Sequence, residues 1–241
     1  MSRIDVLGVS FDNLTMDEAV EKALELVSRR EAAYVCTPNP EIVMAARENA
    51  ALRAALDGAD MVLADGVGVT KAASMLGTPL KSRVPGIDFA QRLIARLAGQ
   101  GGSVYLFGAK PGVAEAAAAK LTEKYPGITI AGTSDGYFKD DSDIIEKINA
   151  SGADFVMVCL GSPKQELWMA SNSGKLSVGL MAGLGGSLDV LAGNVRRAPE
   201  AWRKLGLEWL YRVIKEPKRI GRIAKLPLFV LEAAAAGRRK K

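Results

Sequence analysis

The segment Asp60-Met61-Val62-Leu63-Ala64-Asp65-Gly66-Val67-Gly68-Val69 joins a short apolar run to a carboxylate and two glycines. Such a run, bounded by turn residues, has the pattern of a buried strand, and Val69 to Leu76 carries helical spacing without a breaker. In an open α/β sheet, ligands bind where a strand's carboxyl end opens onto a helix. A carboxylate there is a candidate general base, which nominates Asp65. The same side chain could instead serve only as the N-cap of the next helix. Other polar strand ends would share its rim and weigh against the simple cap: Thr37, Asn39, Gly108, Asp135, Tyr137, Gln165, Gly185 and Asp189.

Several of these loops suggest chemistry of their own. Gly183-Leu184-Gly185-Gly186 opens a helix, and free backbone N–H groups with a helix dipole favour phosphate. No Gly-Lys-Ser/Thr follows, and Gly108-Ala109-Lys110-Pro111-Gly112 does not match the dinucleotide fingerprint. Tyr137 could stack on a nucleobase or simply pack, and Asp189 could accept from a ribose hydroxyl or sit in its own helix's first turn. Asp141-Ser142-Asp143 has the form of the Asp-x-Asp of metal-dependent sugar-nucleotide enzymes. Its place in an acidic cluster at a helix start reads as capping, so no metal site is expected.

The elements that must hold these residues repeat as strand, loop and helix. Thr15-Met16-Asp17-Glu18 is a capping box that opens an amphipathic helix to about Arg30. A strand over 33–37 stops at Thr37-Pro38-Asn39-Pro40, with Asn39 placed as N-cap and Pro40 as the first helical residue. Helical patterning then runs through Ala55. After a Pro- and Gly-marked link, 77–86, and a helix over 88–97, the run Gly99-Gln100-Gly101-Gly102 marks a subdomain boundary. Strands over 103–107, 128–131, 154–160 and 176–182 follow, each leading into a helix. The expected fold is α/β: a Rossmann-like parallel sheet flanked by helices, with a smaller N-terminal α/β subdomain (1–101), a Rossmann-like subdomain (102–195) and a basic helical C-terminal appendage (196–241).

Composition narrows the chemistry. The 241 residues are 49% hydrophobic, which suits a globular chain with a sizeable core. There is no histidine, which removes His-dependent triads, His-ligated zinc and imidazole acid–base catalysis. Cys36 and Cys159 sit in apolar runs and read as core residues of a reducing compartment. The first residues lack the basic-then-apolar pattern of a signal sequence, and no run reaches the roughly 18 apolar residues of a membrane span, so a cytoplasmic or membrane-peripheral protein is expected.

Six segments in order carry a resemblance: Thr37-Pro38-Asn39; Ala64-Asp65-Gly66-Val67-Gly68; Arg83-Val84-Pro85-Gly86; Gly161-Ser162-Pro163-Lys164-Gln165-Glu166; Gly183-x-Gly185-Gly186-Ser187-x-Asp189; and Arg197-Ala198-Pro199 with Gly206-Leu207-Glu208-Trp209-Leu210-Tyr211-Arg212. Together, over nearly the whole chain, they resemble the WecG/TagA/CpsF family of bacterial glycosyltransferases (glycosyltransferase family 26). The resemblance implies inverting, metal-independent transfer of a sugar from a UDP donor to an undecaprenyl-diphosphate-linked sugar, with no cofactor. For the TagA branch it implies UDP-N-acetylmannosamine, an N-acetylglucosamine acceptor and the linkage disaccharide of wall teichoic acid. Other branches use N-acetylmannosaminuronic acid, glucose or glucuronic acid, and no residue here reads the difference. On this resemblance Asp65 is the base, while Thr37, Asn39 and Gln165 hold the sugar or diphosphate. Arg83 supplies positive charge from the link. Residues 102–195 bind UDP, with Asn39, Gly108, Asp135, Tyr137, Gly185, Gly186 and Asp189 as donor-binding candidates.

The net charge of +5 is unevenly spread. Residues 196–241 hold 14 Lys and Arg against 4 Asp and Glu, whereas the preceding 195 residues hold 18 against 23. If Pro217 does not break the helix, Arg212, Lys215, Arg219 and Arg222 share one of its faces beside Leu207, Leu210, Tyr211 and Ile214. A basic helix with interleaved aromatics reads as a segment that docks on an anionic membrane. Arg212, Arg219 or Arg222 would then pair with the lipid's diphosphate, on the inner face of the cell membrane, while the body folds without the tail. Off the membrane, the apolar tail could pair with a second copy. No nucleic-acid partner is expected. The rivals are a nucleotide-dependent oxidoreductase of the same fold and a non-catalytic membrane or nucleic-acid adaptor.

Overall fold

Side chains alternate across the central strands, and each strand buries both faces. Val104 and Leu106 point to one side of the sheet and Tyr105 and Phe107 to the other; Phe155 and Met157 likewise oppose Val156 and Val158. Strands apolar on both faces require helices on both faces. The computed structural model, which describes residues 2–215, 221 and 225–239, supplies them. In chain order the elements begin β1 (Arg3–Val6), β2 (Val9–Asp12), α1 (Met16–Arg29), β3 (Ala33–Cys36), α2 (Pro40–Glu48), α3 (Ala50–Asp57), β4 (Met61–Val62), α4 (Val67–Met75) and α5 (Gly86–Ala98). They continue β5 (Ser103–Gly108), α6 (Val113–Lys124), β6 (Thr129–Ser134), α7 (Asp141–Ser151), β7 (Phe155–Cys159), α8 (Lys164–Asn172), β8 (Leu180–Gly183) and α9 (Ser187–Leu191). The last three are α10 (Glu200–Lys204), α11 (Glu208–Lys215) and α12 (Leu226–Arg239).

Six strands form one parallel sheet in the order β4-β3-β8-β7-β5-β6, so strands from before and after Gly101 share a single sheet. Helices α1, α5, α6 and α9 bury one of its faces, and α2, α3, α4, α7, α8 and α12 the other. This is the expected mixed α/β, Rossmann-like arrangement. The capping box of α1 is closed on both sides: Glu18 N–H donates to Thr15 Oγ1 at 3.2 Å, and Thr15 N–H to Glu18 Oε2 at 2.8 Å.

Three features depart from the sequence reading. The N-terminus forms an antiparallel hairpin, β1–β2, turned at Leu7 and Gly8, both with positive φ. Asp12 at its end receives the Val62 N–H at 2.9 Å and pairs with Lys22 at 2.9 Å, which stitches the hairpin to the two-residue edge strand β4. The helix expected through Ala55 is broken at Asn49, which turns extended and accepts the Leu52 N–H as the N-cap of α3. The tail is also no detachable cover. Phe229 and Ala233 of α12 are fully buried in the core, so the body does not complete its packing without them. Among the described residues, no helix is long and apolar enough to cross a membrane.

Candidate active site

The strand β4 ends three residues before Asp65. The backbone is pinned around it, with Leu63 N–H donating to Cys36 O at 2.8 Å and Val84 N–H to Ala64 O at 2.9 Å. Gly66, not Asp65, is the N-cap of α4, so the capping alternative for Asp65 does not hold. Opposite it, Asn39 caps α2: its Oδ1 accepts the Ile42 N–H at 3.1 Å, and Pro40 takes the first helical position. With the carbonyl oxygen so used, the Nδ2 amide is the hydrogen-bond donor that the Asn39 side chain retains.

Pro40 explains the two glycines after Asp65. A Cβ on Gly66 would lie 2.6 Å from Pro40 Cδ, and one on Gly68 2.6 Å from Pro40 Cγ. No side chain fits there, and the absence of one lets the starts of α2 and α4 close together. Asn39 and Asp65 thereby line the same cavity of about 400 Å³. Gly86 plays a similar part for α5, since a Cβ on it would stand 3.0 Å from Thr37 Oγ1.

Asp65, Asn39, Arg83, Gly186 and Ser187 contribute the polar lining, and Val67, Trp209, Leu226 and Val230 the apolar lining. The starts of α2, α4 and α5 all contribute to the wall, through Pro40, Val67 and Ile87. A helix start carries roughly half a positive charge, so three of them together make the cavity hospitable to a diphosphate. Lys71 and Glu41 line it too, and sequence reasoning singled out neither. Their only signal was a place near a helix start that was already suspected, Glu41 in the first turn of α2 and Lys71 about one turn into α4. Among the described residues, no three His, Cys, Asp or Glu side chains cluster so as to hold a metal ion. Asp141 accepts instead from Trp168 Nε1 at 3.1 Å and Asn172 Nδ2 at 3.3 Å, and Asp140 caps α7.

Thr37 and Gln165 stand behind the wall. Thr37 Oγ1 donates to Gly183 O at 2.8 Å, and Gln165 Oε1 accepts the Gly185 N–H at 2.9 Å, so the two side chains brace the glycine loop after β8. Gln165 Nε2 donates in turn to Glu166 Oε1 at 2.9 Å. Burial pushes the Glu166 carboxyl above its ordinary range, although the hydrogen bond from Gln165 works the other way. Gly185 has φ +53°, and a Cβ built on it or on Gly186 would meet nothing within 4 Å, so this loop faces open space. Asp189 sits in the first turn of α9 and does not line the cavity.

The remaining candidates lie elsewhere. Gly108, Asp135 and Tyr137 stand at the ends of β5 and β6, outside the cavity wall. A Cβ on Gly108 would fall 2.3 Å from Cys159 O, so close packing against β7 explains this glycine without a ligand. Asp135 Oδ1 accepts the Tyr137 N–H at 2.7 Å, and the Tyr137 ring is 70% exposed. Arg212 lies in α11, while Arg219 and Arg222 are outside the described residues. Both cysteines are free and buried; burial lifts Cys36 well above the ordinary thiol value and pushes Cys159 up to about 12, which fits inert core residues.

Residues 4–241 match the glycosyl transferase WecG/TagA/CpsF family. Among curated proteins, the chain is 37% identical over 243 aligned residues to an N-acetylglucosaminyldiphosphoundecaprenol N-acetyl-beta-D-mannosaminyltransferase of Staphylococcus aureus strain MW2. That alignment takes in 100% of this chain and 95% of the relative. The enzyme of the same name from strain NCTC 8325 matches with the same identity and coverage. A match over nearly the full length, on a parallel sheet whose strand ends converge on one polar cavity, leads to one conclusion: the chain belongs to the WecG/TagA/CpsF family of glycosyl transferases.

Proposed function

We propose that the chain moves N-acetylmannosamine from UDP to the N-acetylglucosamine of an undecaprenyl-diphosphate-linked acceptor, with inversion, in synthesis of a teichoic acid linkage unit. The relatives' name specifies a beta product, and a beta product from an alpha-linked nucleotide sugar requires one displacement at the anomeric carbon. In that step Asp65 takes the acceptor hydroxyl's proton as its oxygen bonds to the anomeric carbon. The bond to the diphosphate breaks, and its electron pair leaves on UDP. The N–H groups at the starts of α2, α4 and α5, with Arg83 and Lys71, offset that charge. Asn39 and the loop at Gly185 and Gly186 hold the donor, braced by Thr37 and Gln165.

The observation that carries this reading is a cavity whose wall combines polar groups, Asp65 and Asn39 among them, with the apolar side chains of Trp209, Leu226 and Val230. A sugar diphosphate on a prenyl chain offers both kinds of surface. Among the described residues, six of the eight exposed large hydrophobic side chains, Leu205, Trp209, Ile214, Leu228, Val230 and Leu231, lie on α10–α12 or the turn between them. They support a peripheral seat on the inner face of an anionic membrane, and off the membrane they offer a surface for a second copy.

The test is UDP release from a panel of UDP-sugars with a short-chain diphosphate-linked N-acetylglucosamine, with and without chelator. Release with UDP-N-acetylmannosamine, undiminished by chelator, is the expected result. Turnover confined to another sugar would reassign the donor, and loss in chelator would overturn the metal-free step. Sedimentation with anionic vesicles, weakening as salt rises, checks the membrane seat.

A further inference from the structure

We propose that Arg197 is a positioning residue that locks the start of α11, with Glu208 and Trp209, over the cavity that Asp65 lines. The proposal rests on the reading of Asp65 as the base. Arg197 lies between α9 and α10, outside the cavity wall, and its side chain is only 16% exposed. Its guanidinium makes a two-pronged pair with Asp88, Nη1 donating to Oδ1 at 2.6 Å and Nη2 to Oδ2 at 3.0 Å. Asp88 stands in the first turn of α5, five residues beyond Arg83 and one beyond Ile87, both of which line the cavity. On its other side, Arg197 Nε is buried and 3.8 Å from Glu208 Oε1, in the first turn of α11.

Glu208 and its neighbour Trp209 both line the cavity. One cation therefore ties the start of a body helix to the start of the helix that closes the site. Burial works against its charge, yet the bond to Asp88 and the charges of Asp88, Glu208 and Asp65 hold Arg197 more basic than an ordinary arginine. Asp65 therefore lies within the electrostatic reach of the Arg197 cation. Among the described residues, the other charged groups lining the cavity with Asp65 are Glu41 of α2, Lys71 of α4, Arg83 of the link and Glu208 of α11. The two-pronged geometry also explains why arginine suits this position better than lysine, which cannot grip a carboxylate with two parallel bonds.

The test compares Arg197→Gln and Arg197→Lys with the unaltered protein, using the full chain, UDP-N-acetylmannosamine and the short-chain acceptor. For Arg197→Gln, kcat falls at least tenfold, donor KM changes less than twofold, and the acid limb of kcat/KM moves to higher pH by about half a unit or more, because a positive charge near the base is gone. Arg197→Lys keeps the charge, so its acid limb stays near the original while kcat remains reduced. Hydrogen exchange over 208–215 rises in both variants. An unchanged kcat or an unmoved acid limb in Arg197→Gln would overturn the proposal, as would a Lys variant indistinguishable from Gln. Should Arg197→Gln not fold, Arg197→Lys decides: full activity with unchanged exchange over 208–215 would refute the lock. Asp65→Asn separates the two readings. If it retains turnover, the base assignment fails, whereas faster exchange over 208–215 in the Arg197 variants reports on the lock alone.

Discussion

The two halves of the sheet present the same kind of rim and meet different fates. At the β4-β3-β8 end, loops from Asn39, Asp65 and Gly186 meet in a cavity; at the β7-β5-β6 end, Gly108, Asp135 and Tyr137 stand at strand ends of the same polarity without lining it. Both halves have glycine-marked turns, polar tips and helix starts. What separates them is a second layer: α11 and α12 lie over the first half and bring Trp209, Leu226 and Val230 to it. In a parallel sheet the strand direction puts every loop on one edge, but enclosure depends on what is packed above that edge.

The sharpest way to break this comparison is a pair of isosteric changes, one in each half. Asp65→Asn removes the base and is expected to lower kcat by about 10²–10⁴-fold, the range for a positioned proton acceptor. Asp135→Asn, whose carboxylate serves its own turn, is expected to change kcat less than about twofold. A larger loss there, or a marked rise in donor KM on Tyr137→Ala, would extend the site along the rim to β6.

Next in size is Gly68→Ala. Alanine gains up to about 1 kcal/mol of helix propensity over glycine, but its methyl would meet the stiff Pro40 ring at 2.6 Å. Overpacking of that kind costs about 1–3 kcal/mol, so the net change is destabilising, and turnover should fall about tenfold as Asn39 and Asp65 are pushed apart. Denaturant melts and steady-state rates measure the two effects separately.

Gly186→Ala sharpens the distinction between fold and ligand. Its Cβ would meet nothing within 4 Å, so stability should hold within about 0.5 kcal/mol while donor KM rises several-fold. The smallest effect is expected of Glu166→Gln, read as stability against pH. A carboxyl raised by burial stabilises the fold fully below its unfolded pKa and loses that contribution as pH rises through the folded value. The Gln variant should therefore lack the decline seen just above the ordinary carboxylate range. A variant that keeps the same slope would show that Glu166 does not titrate there.

Residues whose role depends on near neighbours were legible in the sequence. Asn39 and Pro40 announce an N-cap and first turn by type and order, and Thr15 with Glu18 does the same for α1. Asp65 could be nominated because strand, carboxylate and glycines are contiguous. Residues whose role depends on distant packing were not. The glycines at 66 and 68 make room for a proline more than twenty positions earlier, and no local pattern says so. Asn49 breaks one expected helix because its side chain caps the next, a choice that apolar spacing alone does not record. The hairpin at the start was missed because four-residue strands turned by Leu7 and Gly8 carry too little pattern to stand out. Arg197 was visible as part of a shared segment, but its grip on Asp88 spans residues far apart in the chain.

The full burial of Phe229 bears on how the molecule comes into being. The aromatic ring that completes one face of the hydrophobic interior belongs to α12, which follows every other described element in the chain. During translation, the Asp65 loop leaves the ribosome long before the helix that roofs it. A nascent chain can assemble its sheet while the ligand chamber still lies open to water, and the chamber closes only once α12 has emerged.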